Sequence, residues 1–179
     1  MMVRLVNILT ISRIFLAIII FILLSIGNNY FFALILFCLA GISDYFDGHL
    51  ARKYNATSQL GEILDPIADK ILIIFLLFGI AINLSSYLVG FVGAFIITRE
   101  IWVSALRDFN AQNGNMQATK VLYISKVKTS IQLFTIIIYL VALSFNKMLL
   151  IIIGDIFLII SLLITLYTGY IYTVSTFRK

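Results

Sequence analysis

Long apolar runs separated by short polar breaks occupy the chain almost from end to end. The breaks are brief and fall at 28–30, 51–58, 83–86, 107–120 and 144–147. A helix that crosses about 30 Å of hydrocarbon needs about 20 residues, and the apolar runs are about that long. The pattern predicts one domain, residues 1–179, with six helices at 6–26, 31–53, 60–82, 87–109, 120–144 and 148–175.

The composition indicates that these helices lie in lipid. Of 179 residues, 62% are hydrophobic and only 12% are charged, and the mean hydropathy is +1.10. No soluble domain of this size has such values. We therefore expect an all-α fold, a polytopic membrane protein built as a six-transmembrane-helix bundle. The chain has one cysteine, which excludes a disulfide framework.

The basic residues lie almost entirely at one end of the predicted helices. With the N-terminus in the cytoplasm, the outer loops carry only Lys147 of the 13 basic residues. The positive-inside rule therefore places both termini on the cytoplasmic side of the membrane. The net charge of +5 follows from this topology. Because the basic residues do not gather with aromatic residues on a soluble face, nucleic acid is not an expected partner.

The acidic residues concentrate at the same depth as the bases. Seven of the eight lie in or beside the inner halves of their helices, and Asp155 alone lies toward the outside, where it has no evident role. A purely structural bundle would not need this convergence of charge. The distribution therefore predicts a functional site at the cytoplasmic end.

Two successive helices carry polar residues at helical spacing. On the second helix, positions i, i+3, i+4, i+7 and i+8 share one face and hold Asp44, Asp47, Gly48, Ala51 and Arg52. On the third, Gly61, Asp65 and Asp69 recur in steps of four. Antiparallel helices joined by a short turn lie side by side, so we expect these two polar faces to meet.

Four ionised carboxylates would be costly in lipid. Each costs roughly 2.5 to 3.5 kcal/mol at mid-membrane, so the four should face a cavity. Close carboxylates also repel one another unless cations join them. Hard oxygen ligands suit Mg²⁺, Mn²⁺ or Ca²⁺, and a pair of divalent ions serves phosphoryl displacement. The alternative is a set of ion pairs with Arg52, Lys70 and Arg99, which balances charge but leaves the spacing of the acids unexplained.

The spacing DxxDGxxAR(x8)GxxxDxxxD, from Asp44 to Asp69, resembles the signature of the CDP-alcohol phosphotransferases at all eight fixed positions. The resemblance implies a membrane fold of six helices that is usually a homodimer. It also implies two divalent cations, Mg²⁺ or Mn²⁺, with Asp69 as ligand and base and the full ligand set Asp44, Asp47, Asp65 and Asp69. It further implies that the CDP-diacylglycerol donor is bound by Asn7, Thr10, Gly48, Arg52, Ser58 and Gly61.

Three later stretches resemble bacterial phosphatidylglycerophosphate synthases within that family: REI at 99–101, SALR at 104–107 and KVKT at 126–129. Ser125 stands where glycine is expected before the lysine pair. A phosphorylated alcohol needs a cationic pocket, and four bases lie at the depth of the aspartates: Arg99, Arg107, Lys126 and Lys128. The alternative is that these bases only mark topology.

The expected reaction transfers a phosphatidyl group from CDP-diacylglycerol to sn-glycerol 3-phosphate in the bacterial inner membrane, giving phosphatidylglycerophosphate and CMP. One alternative is a sister transferase that makes cardiolipin, phosphatidylserine or phosphatidylinositol phosphate. Another is a small ion-coupled transporter, because intramembrane acids also mark ion paths. A transporter predicts broken helices in both halves, whereas the fifth and sixth helices show no counterpart of the polar pair.

Overall fold

The structure is a computed structural model that describes residues 2–26, 29–53, 59–115 and 123–177. Side chains are described at 7–26, 29–44, 61, 63–115 and 123–177. Within those ranges every regular element is an α-helix, which confirms the all-α prediction. The helices are α1 Met2–Ser25, α2 Tyr30–Lys53, α3 Gln59–Asn83, α4 Tyr87–Gln112, α5 Tyr123–Ser144 and α6 Met148–Phe177.

Four of the helices are long and apolar enough to cross a membrane, judged over the described residues. They are α1 from Asn7 to Ser25 and the whole of α4, α5 and α6. α2 has a shorter apolar part, Tyr30–Asp44, and α2 and α3 carry the signature acids. Large apolar side chains such as Phe15 and Leu163 are exposed on the bundle surface, where lipid would cover them. The chain is a polytopic membrane protein.

Tight turns join α3 to α4 and α5 to α6. Ser86 caps α4, and its hydroxyl accepts a hydrogen bond from the Val89 amide. In the second turn Asn146 has φ 51°, a left-handed conformation that asparagine tolerates better than most residues. Such short connections keep the joined helices as neighbours.

The centre of the bundle is the contact between α1 and α3. Ile20 and Leu24 of α1 and Leu76 and Ile80 of α3 are completely buried in one apolar core. A side chain at Gly79 would begin 3.1 Å from the Leu24 Cδ1 atom, so glycine allows the two helices to approach closely. α3 also contacts α4 and α5, while α6 contacts α4 and α5.

α1 packs against both α2 and α3. Among the described residues no backbone positions of α2 and α3 are close neighbours, and the predicted packing of these helices beside their turn lies outside the described residues. A cavity lined by residues of α2, α3 and α5 occupies the remaining space between α2 and α3. Among the described residues, the polar faces of α2 and α3 meet through the side chain of Arg13 on α1.

Candidate active site

One buried arginine of α1 joins acids from α2 and α3. The Arg13 Nη1 atom lies 2.8 Å from Asp44 Oδ1 and 2.7 Å from Asp69 Oδ1. Because a single nitrogen contacts both oxygens, the two carboxylates are close neighbours. Arg13 was expected only among the basic residues that mark topology, and its place beside the acids was not predicted.

The third described aspartate is held by the same face of α1. The Thr10 hydroxyl is buried and donates a hydrogen bond of 2.7 Å to Asp65 Oδ1. Thr10 and Arg13 are three residues apart, so they project from one side of their helix. Asp65 and Asp69 are one turn apart on α3 and meet these two donors.

The carboxylates of Asp44 and Asp69 are exposed toward the cavity, whereas Arg13, their counter-ion, is buried. The side chain of Arg13 is 1% exposed, but those of Asp44 and Asp69 are 54% and 47% exposed. An ionised carboxylate can accept about four hydrogen bonds or metal contacts. The acids therefore keep oxygen lone pairs on their open side, and carboxylate oxygens are the donors that hard divalent cations prefer.

Several predicted site residues fall outside the described parts of the chain. Asp47, Gly48 and Arg52 lie on helical backbone of α2, but their side-chain surroundings are not among those described, and Ser58 lies outside the described residues altogether. Of the others, Gly61 is buried at the start of α3 and Asn7 is half-buried one turn before Thr10. Over the described side chains no cluster of three metal-ligand residues forms, so the ligand set of four aspartates stays a prediction.

A mostly apolar cavity of about 650 Å³ adjoins the acids. Arg13, Asp44 and Asp69 line it together with Thr129 and apolar residues of α2, α3 and α5. Ile42 and Ile137 on its rim are also exposed on the outer surface of the bundle. The cavity therefore connects the carboxylates to the surface that faces lipid.

The four predicted acceptor bases line a second cavity, of about 410 Å³, between α3, α4 and α5. Lys70 adds a fifth positive charge, and its ammonium donates a hydrogen bond of 2.9 Å to the Ser104 hydroxyl. The lining of this second cavity also includes one carboxylate, that of Glu100. We call this set the basic cup: Lys70, Arg99, Arg107, Lys126, Lys128 and Glu100.

Glu100 joins the three helices that form the basic cup. Its Oε1 atom lies 2.9 Å from Arg99 Nη1 and also accepts from the Lys128 ammonium, while Oε2 lies 3.9 Å from Lys70 Nζ. Lys70 and Arg99 thus pair with Glu100, whereas the alternative of ion pairs placed them with the signature aspartates. Arg52, the third base of that alternative, lies outside the described side chains. The only signal of the role of Glu100 in the sequence was its place next to Arg99 in the REI stretch.

Asp69 is the acid common to the two charged regions. It lines the apolar cavity and also a smaller space of about 180 Å³ whose walls include Lys70, Glu100 and Lys128. A molecule bound in the basic cup could reach Asp69 through this space. We call Arg13, Asp44, Asp65 and Asp69 the acidic region. Asp69 thus belongs to the acidic region and also lies beside the basic cup.

Over the described ranges, six helices that carry one acidic and one basic cluster define a polytopic membrane protein with two charged cavities. Residues 3–167 match the family described as CDP-alcohol phosphatidyltransferase. Because the match covers most of the chain, this protein belongs to that family. The membership confirms the resemblance drawn from the aspartate spacing, and divalent-cation dependence is general in the family.

Two relatives carry the name CDP-diacylglycerol–glycerol-3-phosphate 3-phosphatidyltransferase. The one from Wigglesworthia glossinidia brevipalpis is 42% identical over 113 residues, which are 63% of this chain and 62% of that protein. The one from Escherichia coli is 40% identical over 103 residues, which are 58% of this chain and 57% of that protein. The matched part thus spans less than two thirds of the length of these relatives.

Proposed function

We propose that this protein transfers the phosphatidyl group of CDP-diacylglycerol to sn-glycerol 3-phosphate and releases CMP. The observation that carries the proposal is the meeting of an acidic region and a basic cup at Asp69. The names of the two relatives, which contain both substrates, agree with it.

The acidic region suits the donor. Asp44, Asp65 and Asp69, together with Asp47, would hold two divalent cations, Mg²⁺ or Mn²⁺. When bound, such ions neutralise charge on a pyrophosphate. The adjoining apolar cavity of about 650 Å³ has the size and lining for part of a lipid chain. Contacts with the CDP part remain predictions for Asn7, Thr10, Gly48, Arg52, Ser58 and Gly61.

The basic cup suits a phosphorylated acceptor. Five positive side chains surround one carboxylate in a cavity of about 410 Å³, which leaves an excess of positive charge. Charge-assisted hydrogen bonds to phosphate oxygens are strong, and arginine binds them with two parallel donors. Serine or an unphosphorylated polyol would leave this charge without a partner, so the cup favours sn-glycerol 3-phosphate.

Asp69 would act as the general base. With the acceptor phosphate in the basic cup, the primary hydroxyl extends toward Asp69, which takes its proton as the oxygen attacks the phosphorus nearer the lipid. The bond between that phosphorus and the CMP oxygen then breaks, and CMP leaves. Arg13 keeps one Asp69 oxygen fixed at 2.7 Å, so the other is free to receive the proton.

The proposal extends to location and assembly. We place the protein in a bacterial inner membrane with both termini and the site on the cytoplasmic side, because the bases concentrate at that end. We further propose a homodimer, as the family resemblance implies. An ion-coupled transporter is less consistent with the fold, since α3 continues through Pro66 and the described parts of all six helices are unbroken.

The test supplies purified protein with labelled CDP-diacylglycerol, Mg²⁺ and one acceptor at a time, and separates the lipids by chromatography. The acceptors are sn-glycerol 3-phosphate, phosphatidylglycerol, serine and inositol phosphate. We expect phosphatidylglycerophosphate as the main product and no product after chelation of the metal. Preferred turnover of another acceptor would support a sister transferase, and no turnover with any acceptor would refute the transferase proposal.

A further inference from the structure

α6 contacts the basic cup from outside through a row of side-chain hydrogen bonds to α4. The Arg99 guanidinium donates to the Thr168 hydroxyl at 3.0 Å, and the Arg107 guanidinium donates to the Tyr172 hydroxyl at 2.7 Å. The sequence offered no role for α6. The structure instead shows that both arginines of the predicted acceptor site are held by this helix.

Tyr172 lies against both guanidinium groups. Its ring centroid is 5.0 Å from the Arg107 Cζ atom and 5.7 Å from the Arg99 Cζ atom, within the range of a cation–π interaction. The residue is only 2% exposed, so these contacts are shielded from water. One buried ring therefore fixes the spacing between two cations that lie two helical turns apart.

The neighbouring residues of α6 are adapted to Arg99. The Thr168 hydroxyl donates its own hydrogen to the Thr165 carbonyl at 3.0 Å, which leaves its lone pairs for the Arg99 donor. A side chain at Gly169 would begin 3.2 Å from the Arg99 Cγ atom, so glycine leaves space for the arginine stem. Tyr172 thus completes a surface on α6 that orders both arginines.

We infer that Tyr172 is a positioning residue for the acceptor phosphate. Long flexible side chains lose rotamer freedom when they bind a ligand, and this loss is smaller when another group already holds them. By fixing Arg99 and Arg107, Tyr172 prepares their donors for one phosphate group in the basic cup. The inference rests on the proposed function and adds a specificity element for sn-glycerol 3-phosphate that lies on α6.

The first experiment compares Tyr172→Phe with the unsubstituted protein in the transfer assay. The substitution removes the hydroxyl that accepts from Arg107 and keeps the ring. We expect the KM for sn-glycerol 3-phosphate to rise about tenfold, as for the loss of one hydrogen bond to a charged group. The KM for CDP-diacylglycerol, the kcat and the melting temperature should stay close to their original values.

Trp102→Phe is the matched control. It removes a hydrogen bond of 2.9 Å to Thr173 between the same two helices. Trp102 is exposed and does not line the basic cup. If helix packing alone mattered, both variants would change the enzyme equally, and that result would overturn the inference. We expect the control to leave the KM for sn-glycerol 3-phosphate unchanged.

A second variant tests whether Tyr172 acts through Arg107. On an Arg107→Gln background, the change Tyr172→Phe should raise the KM for sn-glycerol 3-phosphate no further, because its hydroxyl has lost that donor. Additive effects would overturn the inference. An active protein whose KM is unchanged by Tyr172→Phe would refute the inference alone, while absence of transfer by the unsubstituted protein would refute the proposed function as well.

Discussion

The acidic region and the basic cup are built on the same plan with opposite charge. In the first, acids of α2 and α3 surround one arginine whose side chain is 1% exposed. In the second, bases of α3, α4 and α5 surround Glu100, whose side chain is 18% exposed. In each region a single counter-charge connects helices and leaves an excess of the opposite sign facing a cavity.

The difference between the regions lies in how much charge remains for a ligand. Arg13 contacts one oxygen of Asp44 and one of Asp69, and both acids stay about half exposed. Glu100 contacts the buried Lys128 and Arg99, whereas Lys126 is exposed. The charge left without a partner is therefore negative in the acidic region and positive in the basic cup.

The largest effect should follow from Asp69→Asn, which removes the charge of the acid shared by both regions. We expect the transfer rate to fall by about 10² to 10⁴, the usual contribution of a general base. The fold should persist because asparagine has nearly the same shape. Asp108→Asn is the matched control, since Asp108 is an exposed acid of α4 outside the three cavities.

Near-normal turnover by purified Asp69→Asn protein would show that the two regions do not share this carboxylate. The comparison must use protein that elutes as one species in detergent, so that loss of fold is not mistaken for loss of chemistry. An equal decrease in the transfer rate of the Asp108→Asn variant would indicate a general effect of charge at this end of the helices.

A smaller effect, on stability, should follow from Glu100→Gln. The buried ammonium of Lys128 then loses its carboxylate partner, and breaking such a pair costs about 3 kcal/mol. We expect a lower midpoint in denaturant-induced unfolding followed by circular dichroism. Adding Lys128→Met should recover part of the loss because it removes the unpaired charge; an unchanged midpoint in the single variant would contradict this role of Glu100.

The smallest effect concerns Arg13→Gln. Without the guanidinium, Asp44 and Asp69 repel each other until a divalent ion replaces the positive charge. We expect the metal-free variant to melt about 5 °C lower, as for a loss of roughly 2 kcal/mol. Mn²⁺ should restore most of that difference. Arg13→Lys, which keeps the charge, should melt closer to the original protein, and a loss that Mn²⁺ does not reverse would argue against the counter-ion role.

The helices could be predicted from the sequence because apolar run length is a local property. In the described ranges the helices begin and end within a few residues of the predicted bounds. The helical period also placed Asp65 and Asp69 on one face, where Thr10 and Arg13 contact them. The proximity of Asp44 to Asp69 was also expected, but the buried Arg13 of α1 that contacts both acids was not.

The buried counter-charges could not be predicted because they depend on which helices are neighbours. Arg13 and Asp69 are 56 residues apart, and Glu100 and Lys128 are 28 apart. Periodicity describes one helix at a time and gives no such pairing. The role of Tyr172 was even harder to predict, since a tyrosine near a helix end is also typical of a membrane interface.

The most direct test of the account is a titration of the purified protein with Mn²⁺, followed by electron paramagnetic resonance. If the signature acids share ions, the original protein should bind two Mn²⁺ per chain, and Asp65→Asn should bind no more than one with high affinity. Absence of bound Mn²⁺ at concentrations that support transfer, or equal binding by Asp65→Asn, would contradict the claim that these carboxylates form one cation site.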